Sequence, residues 1–153
     1  MRSDDTDSEA KSDGRIRRMV ARLRRGDPSR RVPDVDDADL EVVVRCDDDV
    51  TASSAVLDRA GFGESRGAVL RHLLAVPGEA APGAASSAAR EGYQETTLLD
   101  GDPDAPDGMV LIALARVQAV DARTVSQERS RMASRASRAG GRSVGWAVLD
   151  LPG

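Results

Sequence analysis

Five groups of residues in this chain have types and spacings suited to chemistry. Asp100, Asp102, Asp104 and Asp107 recur as the opening ligands of a calcium loop do, but the positions that should be a turning glycine and a bidentate glutamate are Ala105 and Leu111. A solvated hairpin loop is expected there. Asp47, Asp48 and Asp49 could hold magnesium, yet carboxylates at a helix start are favoured by the helix dipole without any metal. No metal and no cofactor is expected. His72, the sole histidine, alternates with Leu70 and Leu74, and no nucleophile or carboxylate pattern accompanies it, so its expected role is structural. Arg131, Arg135 and Arg138, continued by Arg142, recur at spacings of four, three and four and draw a basic stripe along one helix. No acidic residue follows Glu128 in that helix, so the stripe could grip carboxylates or phosphates bidentately. Trp146 is either an aromatic anchor for a partner or a core residue between sheet and helix. No catalytic residue is expected, because no nucleophile elbow, metalloprotease helix or phosphate-binding loop is present.

Composition narrows the partners. Aromatics make up only 2% of the chain, so the core must be built from Val, Leu, Ala, Ile and Met, and a sheet that reads RNA by stacking lacks its platforms. Net charge is -4 with both signs abundant, which gives no global pull toward nucleic acid. The charge is unevenly spread, and residues 109–153 hold seven arginines against three acidic side chains. With one cysteine, Cys46, an internal disulfide is impossible and a buried thiol is expected. No stretch has the length of a membrane span or an export signal, so the expected address is the cytoplasm and no membrane partner is expected.

The elements follow from periodicity and stop signals. Residues 1–38 read as a flexible charged leader, with a short basic amphipathic helix where Ile16, Met19, Val20 and Leu23 recur among six arginines between 15 and 25. The folded domain is expected over 39–151. It begins with a strand from Leu40 and a helix over 52–60, capped by Asp49 or Thr51, burying Ala55 and Val56 and stopped by Gly61. A strand over Ala68 to Val76 and a small-faced helix from Glu79 to Glu91 come next. A strand over Tyr93 to Leu99 pairs as a hairpin with Met109 to Val120. A helix capped by Asp121 or Thr124 runs to Ala139 with Val125, Met132, Ala136 and Ala139 inward, and a last strand covers Ser143 to Leu149. From Ala68 onward the order is β-α-β-β-α-β. The expected class is therefore α+β, a ferredoxin-like sandwich with an extra N-terminal strand and helix.

From about residue 56 to 150 the chain resembles the regulator of ribonuclease E activity B family, small bacterial proteins that bind and inhibit the endoribonuclease RNase E. The residues that carry the likeness are Ala60-Gly61, His72 within a strand ended by Pro77, Gly92-Tyr93 after an Ala-rich helix, and Gly140-Gly141 followed by Gly145-Trp146. Ser143 and Val144 stand where the family has Tyr and Asp. The resemblance implies a non-catalytic protein-binding regulator, an inhibitor of an RNase E or G type endoribonuclease and hence of RNA decay. Arg131, Arg135, Arg138 and Trp146 are the expected partner-binding residues. The alternative is a nucleic-acid-binding adaptor using the arginines of 15–25 and of the last helix, with RNA as partner. A small-ligand sensor, a third possibility, would need a pocket.

Overall fold

The computed structural model describes residues 30–63 and 65–153; the leader helix expected over 15–25 lies outside them. Among the described residues the architecture is α+β, with one five-stranded antiparallel sheet and three α-helices. In chain order the elements are β1 (Glu41–Cys46), α1 (Ser53–Arg59), β2 (Arg66–Pro77), a 3-10 turn (Gly78–Ala80) leading into α2 (Ala81–Ala89), β3 (Gln94–Thr96), β4 (Met109–Val120), α3 (Ala122–Arg138) and β5 (Arg142–Asp150). Across the sheet the strands lie in the order β1-β5-β2-β4-β3.

β2 occupies the centre, and every residue from Gly67 to Val76 is buried. Burial of both faces explains why GAVLRHLLAV is apolar on both sides of the strand, broken only by the buried Arg71 and His72, instead of alternating. On the helical face, Leu57 of α1 and Val125 of α3 pack on Leu70, Val120, Trp146 and Val148, and Ala84, Ala88 and Met132 pack on Leu74, Ile112 and Leu114. The opposite face is thinner. Val69, Ala115, Ala147 and Leu149 form its layer, covered by Val35, Leu40 and Leu99.

Several expectations need correction. Residues 30–38 are not a free linker, because Pro33 is buried, Val35 packs on the sheet, and Arg30 pairs with the buried Asp150 at 3.0 Å. The start of α1 is ordered by Asp48, which accepts from the Val50 and Thr51 amides at 3.0 and 2.7 Å, while Ala52 at the cap position makes no side-chain hydrogen bond. That helix buries Ser53 and Leu57, and Ala55 faces solvent. β3 is three residues long instead of seven. The ladder stops there because the Thr97 carbonyl accepts from Arg71 and the Leu99 amide donates to Asp102, so these backbone groups find partners off the sheet. Asp102 itself is no solvated loop residue: both its oxygens accept from the buried Arg71 guanidinium.

α3 starts as expected. The Asp121 carboxylate accepts from the Thr124 amide at 2.9 Å and the Thr124 hydroxyl accepts from the Asp121 amide at 3.0 Å, satisfying two donors that would otherwise be orphaned. Its return to the sheet is tight. A Cβ on Gly141 would lie 1.9 Å from the Ala75 carbonyl oxygen, so only glycine lets the chain turn into β5 against β2.

Candidate functional site

Along α3, Ala122, Ser126, Ser130, Ala133 and Ser137 fall at four- and three-residue spacings and present a row of small side chains. This row forms one wall of a groove of about 530 Å³ whose other wall is the Asp48–Ser54 segment and whose floor is the start of β5, including Ser143, Gly145 and Trp146. Small residues keep this wall low, and the groove is crossed only where Ser126 and Arg129 reach Ser53. Gly145 deepens it for a different reason: a Cβ there would come within 2.6 Å of the Cys46 carbonyl, so the backbones of β1 and β5 approach closely only without a side chain.

Arg129 ties the walls together. Its guanidinium donates to the Thr51 carbonyl at 2.8 Å and to the Ser53 hydroxyl at 3.0 Å, and it lies 5.8 Å from the Trp146 ring centre. At the rim Val50 is 86% exposed, an apolar side chain held out by the Asp48 turn. Single exposed apolar residues are ordinary on protein surfaces. One standing over an open groove is the arrangement that a partner side chain can cover.

The residues expected to bind a partner are divided by the fold. Trp146 is buried at 3% exposure, cross-strand from His72 and Cys46, and touches the groove only as floor. It fills the space between sheet and helix, as its core reading required, and does not project as an anchor. Arg135 is also buried, with its guanidinium donating to Ser87 and pairing with Glu91 at 2.8 Å. Arg131 is exposed and pairs with Glu128 at 3.3 Å, while Arg138 is exposed and folds back to the Ser134 carbonyl at 3.3 Å. The stripe is therefore not free of counter-charge. Acidic partners come from Glu91 in the turn after α2 and from Glu128 one turn earlier in α3, and the first of these local spacing along the helix could not disclose.

Between α2, α3 and the sheet lies a buried polar cluster. The Tyr93 hydroxyl donates to Glu128, whose other oxygen receives Arg116 at 3.2 Å, and the Arg116 guanidinium sits 4.5 Å from the Tyr93 ring centre. Burial first, then the hydrogen bond with Glu128, pushes the Tyr93 hydroxyl far above the ordinary phenol range. His72 lies edge-on to Tyr93 at 6.0 Å, fully buried on the face of Leu70 and Leu74, and neither ring nitrogen has a partner among the described residues. Burial, reinforced by the positive charges of Arg116 and Arg129, lowers its pKa to about 3, so the imidazole is neutral at physiological pH. An unpartnered neutral imidazole inside an apolar layer fills space.

Sequence reasoning missed Arg129, Val50 and the small-residue row. The row was visible in principle as a helical period of Ala and Ser, but Ala and Ser carry no chemical signal of their own. Among the described residues, no helix is long and apolar enough to cross a membrane. In comparisons with known proteins, no family model, no curated protein and no solved structure matches this chain.

Proposed function

We propose that this domain is a non-catalytic protein-binding regulator that inhibits an RNase E type endoribonuclease, and so RNA decay, by occupying a surface of that enzyme through the groove beside α3. The reading takes the domain as ferredoxin-like, which the strand order β5-β2-β4-β3 and the helices following β2 and β4 support. The residues of the family resemblance stand at turning points of the chain. Gly61, Gly92 and Gly140 adopt φ of 71°, 85° and 84° at the ends of the three helices, Pro77 ends β2, and Gly145-Trp146 floors the groove.

The observation that carries the docking role is Val50, 86% exposed above a groove walled by small side chains. Ser143, which stands where the family has an aromatic residue, lines this same groove, so the surface offered to a partner is more open here. On this reading the domain works in the cytoplasm beside its target. The nucleic-acid adaptor is the weaker alternative because Arg135 is buried against Glu91 and Arg131 is shared with Glu128. Affinity capture from a bacterial lysate, with and without ribonuclease treatment, tests the choice. An RNase E or G homologue that stays bound after RNA is destroyed supports the regulator, and capture that vanishes with the RNA refutes it.

A further inference from the structure

The two walls of the α3 groove differ in height and in charge. The Asp48–Ser54 wall is high and acidic at its rim, where Val50 is 86% exposed beside the exposed carboxylates of Asp48 and Asp49. The α3 wall is low, because its exposed side chains are those of Ser130, Ala133 and Ser137, and the exposed Arg142 lies just beyond it at the start of β5. Each wall thus has what the other lacks, a projecting apolar residue against a shallow row and negative charge against positive.

A surface whose two halves complement each other fits a second copy of itself. Under a two-fold axis lying along the groove, each wall faces the opposite wall of the other molecule and every contact is made twice. Val50 then sits on Ser130, Ala133 and Ser137 of the second copy, and Asp49 lies beside its Arg142. The projecting residue is fixed in advance. Asp48 holds it out by accepting from the Val50 and Thr51 amides, and Arg129 fastens the same segment to α3 by donating to the Thr51 carbonyl at 2.8 Å, so little order has to be gained on docking. Covering both valines removes apolar surface from water, and the two rim pairs set the register. Charge also favours a copy over an unlike partner. The groove carries Asp48 and Asp49 as well as Arg129 and Arg142, so a uniformly acidic or basic partner is opposed along part of its length.

We infer that the protein forms a two-fold dimer through this groove, with Val50 of each copy seated on the α3 wall of the other. The dimer closes the groove, so a second copy and the ribonuclease exclude each other and only the monomer inhibits. That consequence rests on the docking role proposed above, whereas the dimer itself does not.

Sedimentation velocity of the full-length protein alone, after ribonuclease treatment and over about two decades of concentration, tests the dimer with no enzyme present. The expected result is a concentration-dependent passage from monomer to dimer. Val50→Ser should weaken it about tenfold or more, since an apolar contact is lost on both sides. Asp49→Arg and Arg142→Asp should each weaken it by a similar factor, because like charges then face each other twice. An equimolar mixture of these two variants should dimerise again, as every rim pair in the mixed species joins an arginine to an aspartate. All three positions are exposed, and recovery in the mixture shows that both variants are folded. A monomer at every concentration, single variants that dimerise as the wild type does, or a mixture that stays monomeric would overturn the inference. Any of these results leaves the docking role to its own capture experiment.

Discussion

At His72 the surroundings set both the charge and its cost. Its pKa falls from 6.5 to about 3 on folding, through burial and then the charges of Arg116 and Arg129. The unfolded chain therefore takes up a proton below pH 6.5 that the folded chain refuses, so this contribution to stability is full above pH 6.5 and is lost progressively as pH falls toward 3. We expect urea-unfolding free energy to drop through this window with a slope of up to about 1.4 kcal/mol per pH unit from this group. In His72→Leu that part of the slope should vanish, and stability at pH 7 should be unchanged or higher, because two unpartnered nitrogens leave the core. The pair of Arg71 and Asp102 behaves differently. Burial alone would raise the Asp102 pKa, but the hydrogen bonds from Arg71 and Leu99 and the charges of Arg71 and Arg45 outweigh it and hold the carboxyl below its ordinary range. Its stabilisation is present above the unfolded carboxylate pKa and is lost as pH falls through the lowered folded value. Asp102→Ala should cost about 3–5 kcal/mol in urea unfolding, since it strands a buried guanidinium.

The elements that local signals define are those read closely from sequence. The 109–120 strand has the expected bounds, and α3 begins at the expected Asp121 and Thr124, where the capping box forms. Asp121→Ala should therefore lower stability by about 1 kcal/mol in thermal or urea unfolding. Gly141→Ala is a harsher change, because its Cβ would meet the backbone of β2. We expect a loss above about 3 kcal/mol, or no soluble folded protein, by circular dichroism. What sequence did not disclose depends on distant partners. β3 is short because Arg71, from another strand, takes the carbonyl that would have extended it. Glu128 and Arg135 read as surface charges on a helix, yet Tyr93 and Arg116 hold the first inside and Glu91 and Ser87 the second. A periodicity argument places charged residues outside by default, and here the Tyr93, Ser87 and Glu91 groups that hold Glu128 and Arg135 inside come from more than 30 residues away.

For the whole molecule, the sheet separates two unlike faces. The helical face holds the α3 groove, which is read as the surface for a protein partner, and the thinner face is covered by Val35, Leu40 and Leu99. The sequence made the α+β class and the rigid core readable. It did not reveal the groove, because that depends on where Ala and Ser fall relative to the Asp48–Ser54 segment, a relation that exists only once the chain is folded. The central claim is that a partner enters this groove, and Ala133, exposed on its wall, is the residue at which to obstruct it. The most direct test is isothermal titration of a purified RNase E type endoribonuclease, free of RNA, with the wild-type protein and with Ala133→Arg, whose fold is checked by circular dichroism. The account predicts saturable stoichiometric binding by the wild type and a loss of about tenfold or more in the folded variant, the effect of blocking a packed contact. No binding by the wild type, or equal binding by both proteins, would contradict it.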